Sequence, residues 1–153
     1  MKKIVSENLL EFRTSGEIIK LSPDILIKKQ REEFINKYFD LEHDIVEVEA
    51  NSDGEVILTS YMLDISNSKI DIIPFDIIIS EIIYADNVQF KYKGARLPQM
   101  TAHSYITFEN SNIETINKYI EAEQIIFKNT NLTLEKIHKL EDTNLIKAEK
   151  IIL

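Results

Sequence analysis

Arg96, His103 and Tyr105 fall within one short segment and are the side chains of this chain best equipped for chemistry. A guanidinium can grip a carboxylate or a phosphate with two parallel hydrogen bonds. An imidazole and a phenol beside it would supply an acid–base pair. The segment Lys93-Gly94-Ala95-Arg96-Leu97-Pro98-Gln99-Met100-Thr101-Ala102-His103 is also the longest stretch without helical or strand patterning. Long loops in compact domains are often functional. The plainer reading is a crossover whose arginine pairs with an acidic face.

A second group is acidic. Glu47 and Glu49 alternate with Val46 and Val48, so they face outward if the valines face a core. Asp53 and Glu55 follow at the turn Asn51-Ser52-Asp53-Gly54. Like charges gathered across a strand pair cost about 0.2–1 kcal/mol each, and a basic partner would remove that cost. The surrounding charge supports this reading. Residues 38–86 hold twelve acids and one base, Lys69, a net −11, whereas residues 87–108 hold Lys91, Lys93 and Arg96 and no acid. The formal net charge is −8. The candidate partner-binding residues are therefore Glu47, Glu49, Asp53, Glu55, Arg96 and His103, and the expected partner is a protein with a basic surface.

Other chemistries are disfavoured. Asp40-Leu41-Glu42-His43-Asp44 lacks the spacing of a calcium loop, and His43, His103 and His138 lie in separate segments, so no metal is expected. The three glycines, Gly16, Gly54 and Gly94, are too far apart to cradle a phosphate, so no nucleotide cofactor is expected. With no cysteine there is no disulfide or thiolate nucleophile. The acidic balance, with a pI near 4.9, argues against nucleic acid and anionic membranes. Ser6, Glu7 and Asn8 interrupt the N-terminal apolar run too early for a signal peptide, and a cytoplasmic location is expected. The heavy use of isoleucine and asparagine suggests an AT-rich bacterial or phage genome.

The elements that must position these groups follow from patterning. Leu10 and Phe12, then Ile19 and Leu21, flank Gly16 as a hairpin. Ser22-Pro23-Asp24 starts a helix running to about residue 39. Strands are expected around Val46–Ala50 and 55–62, through Ile70–Tyr84 with a bend at Pro74, at Val88–Tyr92 and at Tyr105–Phe108. Ser111-Asn112-Ile113-Glu114 reads as a capping box opening a helix over 112–128. The segment 131–153 is either a helix through Leu134, Ile137 and Leu140 or a hairpin turning at Asp142-Thr143-Asn144, with the hairpin preferred. No internal repeat stands out.

The expectation is one α+β domain over 1–153, a twisted antiparallel sheet of about six to eight strands packed with helices 23–39 and 112–128. The expected function is a non-enzymatic acidic interaction module of the inhibitor, immunity or antitoxin kind. The alternatives are a self-assembling structural subunit of a phage or secretion-type complex, whose acidic and basic segments meet head to tail, and a small enzyme with its site in the 94–105 loop.

Overall fold

The computed structural model describes residues 3–4, 23–70, 72–90, 97–113 and 116–153. The elements are β1 (Lys3–Ile4), α1 (Pro23–Tyr38), β2 (Ile45–Ala50), β3 (Val56–Ser60), β4 (Met62–Asp64), β5 (Lys69–Ile70), β6 (Ile77–Tyr84), β7 (Gln89–Phe90), β8 (Gln99–Thr107), β9 (Ile120–Ile126), α2 (Leu134–Asp142) and β10 (Ile146–Ile152). The chain is α+β. The expected antiparallel sheet needs correction. Eight strands form one sheet in the order β1-β2-β3-β6-β8-β9-β10, with β4 also on β6. Among the described residues every pairing is parallel except β2–β3.

The reason lies in the polar turns. A hairpin reverses a strand, but these turns are corners. β6 ends at Ala85-Asp86-Asn87, the chain adds β7 to a second small sheet beside β5, and it returns as β8 parallel to β6. Parallel neighbours that follow one another in this way are coils of a β-solenoid. Asn67, Asn87, Asn110 and Asn129 hold the corners with φ between 54° and 59°. That left-handed conformation is strained for most side chains and tolerated by asparagine. The corners stack. The N–H groups of Asn67, Asn87 and Asn110 donate to the carbonyls of Asp86, Glu109 and Lys128 at 2.8–3.0 Å. The Asn87 amide donates to Asn67 at 3.0 Å, and the Asn129 amide to Asn110 at 2.5 Å. The chain thus has repeats that its sequence reading did not show.

Two inward rows form the core. Val48, Leu58, Ile78, Met100, Ile120 and Ile146 face one another in register across six strands. Leu63, Ile83, Ile106, Ile125 and Ile151 do so across five. Each fully covered member contributes about 1.5–3 kcal/mol relative to exposure. Between the rows the strands bend. β3 gives way to β4 at Tyr61, and the β6 and β8 registers shift between Ser80 and Ile82 and between Thr101 and Tyr105. Extra residues of this kind bend a strand. Small residues line the inside of the bend, where the Ser60 and Ser80 hydroxyls meet at 2.9 Å.

Other expectations fare unevenly. α1 matches, with Phe34, Ile35 and Phe39 buried and Phe34 edge-on to Phe75 at 5.5 Å. Arg31 ties it down by donating from Nε to the Pro74 carbonyl at 2.8 Å. The turn at 51–54 joins β2 to β3 as a true hairpin. The helix expected over 112–128 is absent, since Ile120–Ile126 is strand β9. Ser111 caps no helix. Its buried hydroxyl donates to the Ala85 carbonyl at 2.5 Å and accepts from the Val88 N–H at 3.0 Å, joining two coils. Ile120-Glu121-Ala122-Glu123 alternates as a half-buried strand does, and the ladder to β8 decides between the two periods. The tail takes the helix alternative, α2 through Leu134, Ile137 and Leu140, and the strand β10 that follows it pairs with β9 and forms no hairpin. The preferred hairpin gives way because Thr133 caps α2 through its hydroxyl. Much of the expected 94–103 loop is strand β8, from Gln99 onward. The hairpin at Gly16, the cap Ser22 and the acid Glu114 lie outside the described residues.

Candidate functional site

The aspartates of the acidic segment mostly serve turns. Asp64 accepts from the Ser66 N–H at 2.9 Å, and Asp76 from the Val56 N–H at 2.8 Å. Asp86 accepts from the Thr107 hydroxyl at 2.6 Å and the Glu109 N–H at 2.8 Å, locking a corner to the next coil. Asp44 accepts from the Asp40 N–H at 2.8 Å. Asp40 meets His43 Nδ1 at 2.7 Å and accepts from the Glu42 N–H, and these two bonds hold its carboxyl below the usual range.

Glu47, Glu49 and Asp53 do none of this. All three are exposed, and among the described residues none meets a cation within 4 Å. Glu55 is half-buried and accepts from the Asn51 amide at 3.2 Å. The β2 carboxylates Glu47 and Glu49 and the turn-tip Asp53 thus stand outward, whereas Glu55 supports the hairpin.

Next to Glu47 lies a feature the sequence reading missed. Ile45, Tyr61 and Met62 are 65%, 73% and 44% exposed. Val46 pairs with Ser60, which sets Ile45 and Tyr61 on adjoining positions of neighbouring strands. A groove of about 530 Å³ here is lined by His43, Asp44, Ile45, Glu47, Thr59 and Tyr61, among others. The signal was a phase slip. Leu58 and Leu63 both point inward although they lie five positions apart, an odd step that regular alternation would put on opposite faces, so the strand must break between them and turn Tyr61 and Met62 out.

His103 sits elsewhere. It is exposed at the bend of β8, in a row that runs Tyr61, Glu81, His103, Glu123 and Glu149 from strand to strand. Ser104 beside it donates to Glu81 at 2.8 Å. His103 lines a second groove, about 470 Å³, with Thr101, Glu121, Glu123, Lys147 and Glu149. The structure does not bring His103 together with the β2 carboxylates. Arg96, Lys91 and Lys93 lie outside the described residues.

Two tyrosines have perturbed phenols. Tyr105 meets the Tyr84 hydroxyl at 2.5 Å, and that bond, with some burial, raises its pKa. No hydrogen bond joins it to His103 among those described. Tyr119 donates to Glu121, which pushes its pKa up to about 12. Among the described residues no three His, Asp or Glu side chains converge as a metal site, and no helix is long and apolar enough to cross a membrane. Comparison with protein-family models, curated proteins and solved structures found no match.

Proposed function

We propose that this chain is a protein-binding module of the inhibitor, immunity or antitoxin kind, which recognises a basic partner through Ile45, Tyr61 and Met62 with Glu47 and Glu49 at their side. The observation that carries the reading is the exposed apolar cluster, with Tyr61 at 73%, next to carboxylates that have no cation within reach among the described residues. Exposed apolar groups gathered in one place and rimmed by charge mark interaction sites. A tyrosine supplies a large, stiff contact with a polar tip and is enriched among residues that dominate binding. Unpaired carboxylates beside it steer a basic partner and reject an acidic one. A cysteine-free chain suits the reducing cytoplasm.

The test is a peptide library selected on the wild-type protein and counter-screened on the triple variant Tyr61→Ala/Glu47→Gln/Glu49→Gln. Enriched peptides should combine Lys or Arg with a large apolar side chain. They should bind the variant roughly thirtyfold more weakly or worse, and bind the wild type less tightly as salt rises. Peptides that are neutral or acidic, or that bind both forms alike, would overturn the reading.

A further inference from the structure

β10 is the last strand of the long sheet, and its second edge meets no strand among the described residues. Such an edge presents a row of backbone donors and acceptors ready for another strand. The core beneath it is incompletely covered. Ile146 is buried, but Ala148 and Ile151 are only half-buried, and Leu153 is 52% exposed. The strand's own order of faces selects the occupant. Ile146 and Ala148 point inward, Lys147 and Glu149 outward, and after the bend Lys150 points outward and Ile151 inward.

We propose that β10 pairs with β10 of a second copy of this chain, antiparallel, about a two-fold axis between Glu149 and Lys150. In that register Ala148 faces Ile151 of the other copy, and Lys147 faces Ile152. Inward groups meet inward groups because the strand bends at the axis. Glu149 faces Lys150 of the second copy twice over, as a two-fold contact requires. Within one copy Glu149 stands beside Glu123 of β9, a like-charged neighbour, and the lysine of the second copy offsets that repulsion. Every other register that pairs four or more residues of two antiparallel β10 strands either sets Glu149 against Glu149, sets lysine against lysine, or turns an inward residue toward an outward one. The two aliphatic rows then continue across the junction, so the dimer is one solenoid joined tail to tail. This surface is separate from the Tyr61 cluster.

A charge-swap cycle tests it. Sedimentation of the full chain should show a monomer–dimer equilibrium. Glu149→Lys and Lys150→Glu are changes at exposed positions, and each places like charges across the axis, so each alone should weaken the dimer roughly tenfold or more. The double variant Glu149→Lys/Lys150→Glu restores opposite pairs and should dimerise as the wild type does. A wild type that stays monomeric at all concentrations, or one that grows into open-ended polymers, overturns the proposal. So do single variants that dimerise unchanged and a double variant that stays weak while circular dichroism shows it folded.

Discussion

At the N-terminal end of the solenoid β2 folds back antiparallel on β3, and its inward Val46 and Val48 are 0% and 4% exposed. At the C-terminal end β10 keeps the parallel sense, and Ala148 and Ile151 remain half-buried. A coil buries its apolar side only against its neighbours, so a terminal coil needs a cover of its own. One end has that cover in the reversed strand β2, and α1 packs on the segment before β6 through Phe34 on Phe75 and Arg31 on the Pro74 carbonyl. The other is covered over Ile146, where α2 packs against β10 with Ile137 buried, and open beyond it. The closed end can therefore present a fixed surface outward. Among the described residues the open end has an unpaired strand edge and a half-covered core, which the proposed second copy would complete.

The largest effects should come from the rows inside. Ile106 is 0% exposed between Ile83 and Ile125, so Ile106→Ala should cost about 3–5 kcal/mol in chemical denaturation. Ile151→Ala, in the same row at the open end, should cost about 1–2 kcal/mol in dilute protein, because less of it is covered. Equal costs would mean that the end is closed. Corners come next. Asn87→Ala forces alanine into the left-handed region and removes the amide bond to Asn67, at about 1–2 kcal/mol. Asn144→Ala at the open end, where among the described residues the side chain of Asn144 makes no hydrogen bond and its N–H donates to the Glu141 carbonyl, should cost less, and Asn87→Gly should recover much of the loss.

At the closed end, Tyr61→Ala should leave stability within about 0.5 kcal/mol while weakening the selected peptides. A large loss of stability would make Tyr61 a structural residue. The smallest effect concerns Tyr119, whose partner Glu121 also faces Lys147 of β10 at 3.9 Å. A phenol held near 12, against about 10 when unfolded, stabilises the fold fully below pH 10. That contribution fades as pH climbs from 10 to 12. Ultraviolet titration of Glu121→Gln should move one phenol downward; no movement would remove Glu121 as the cause.

Local signals were legible. The α1 stripe of Phe34, Ile35 and Tyr38, the alternation Val46-Glu47-Val48-Glu49 and the Asn51–Gly54 turn all specify their structure through short-range chemistry. The direction of strand pairing was not, because a polar turn with one left-handed asparagine looks the same whether it makes a hairpin or a corner. The repeat was masked by uneven coil lengths. Asn67 and Asn87 are 20 residues apart and Asn110 and Asn129 are 19, while the links from Asp86 to Glu109 span 23. What recurs is an apolar residue two before each corner asparagine, at Ile65, Ala85, Phe108 and Phe127, the last two stacked at 5.5 Å. Of the site, Glu47 and Glu49 were legible from alternation. Tyr61 was not, because its exposure comes from the strand break that the solenoid bend imposes.

The contrast between a closed and an open end is tested most directly by amide hydrogen exchange, followed strand by strand at low and high protein concentration. The β10 amides should exchange quickly in dilute solution and gain protection as concentration rises, while β2 stays unchanged. Protection of β10 that ignores concentration, or protection gained at β2 instead, would contradict it.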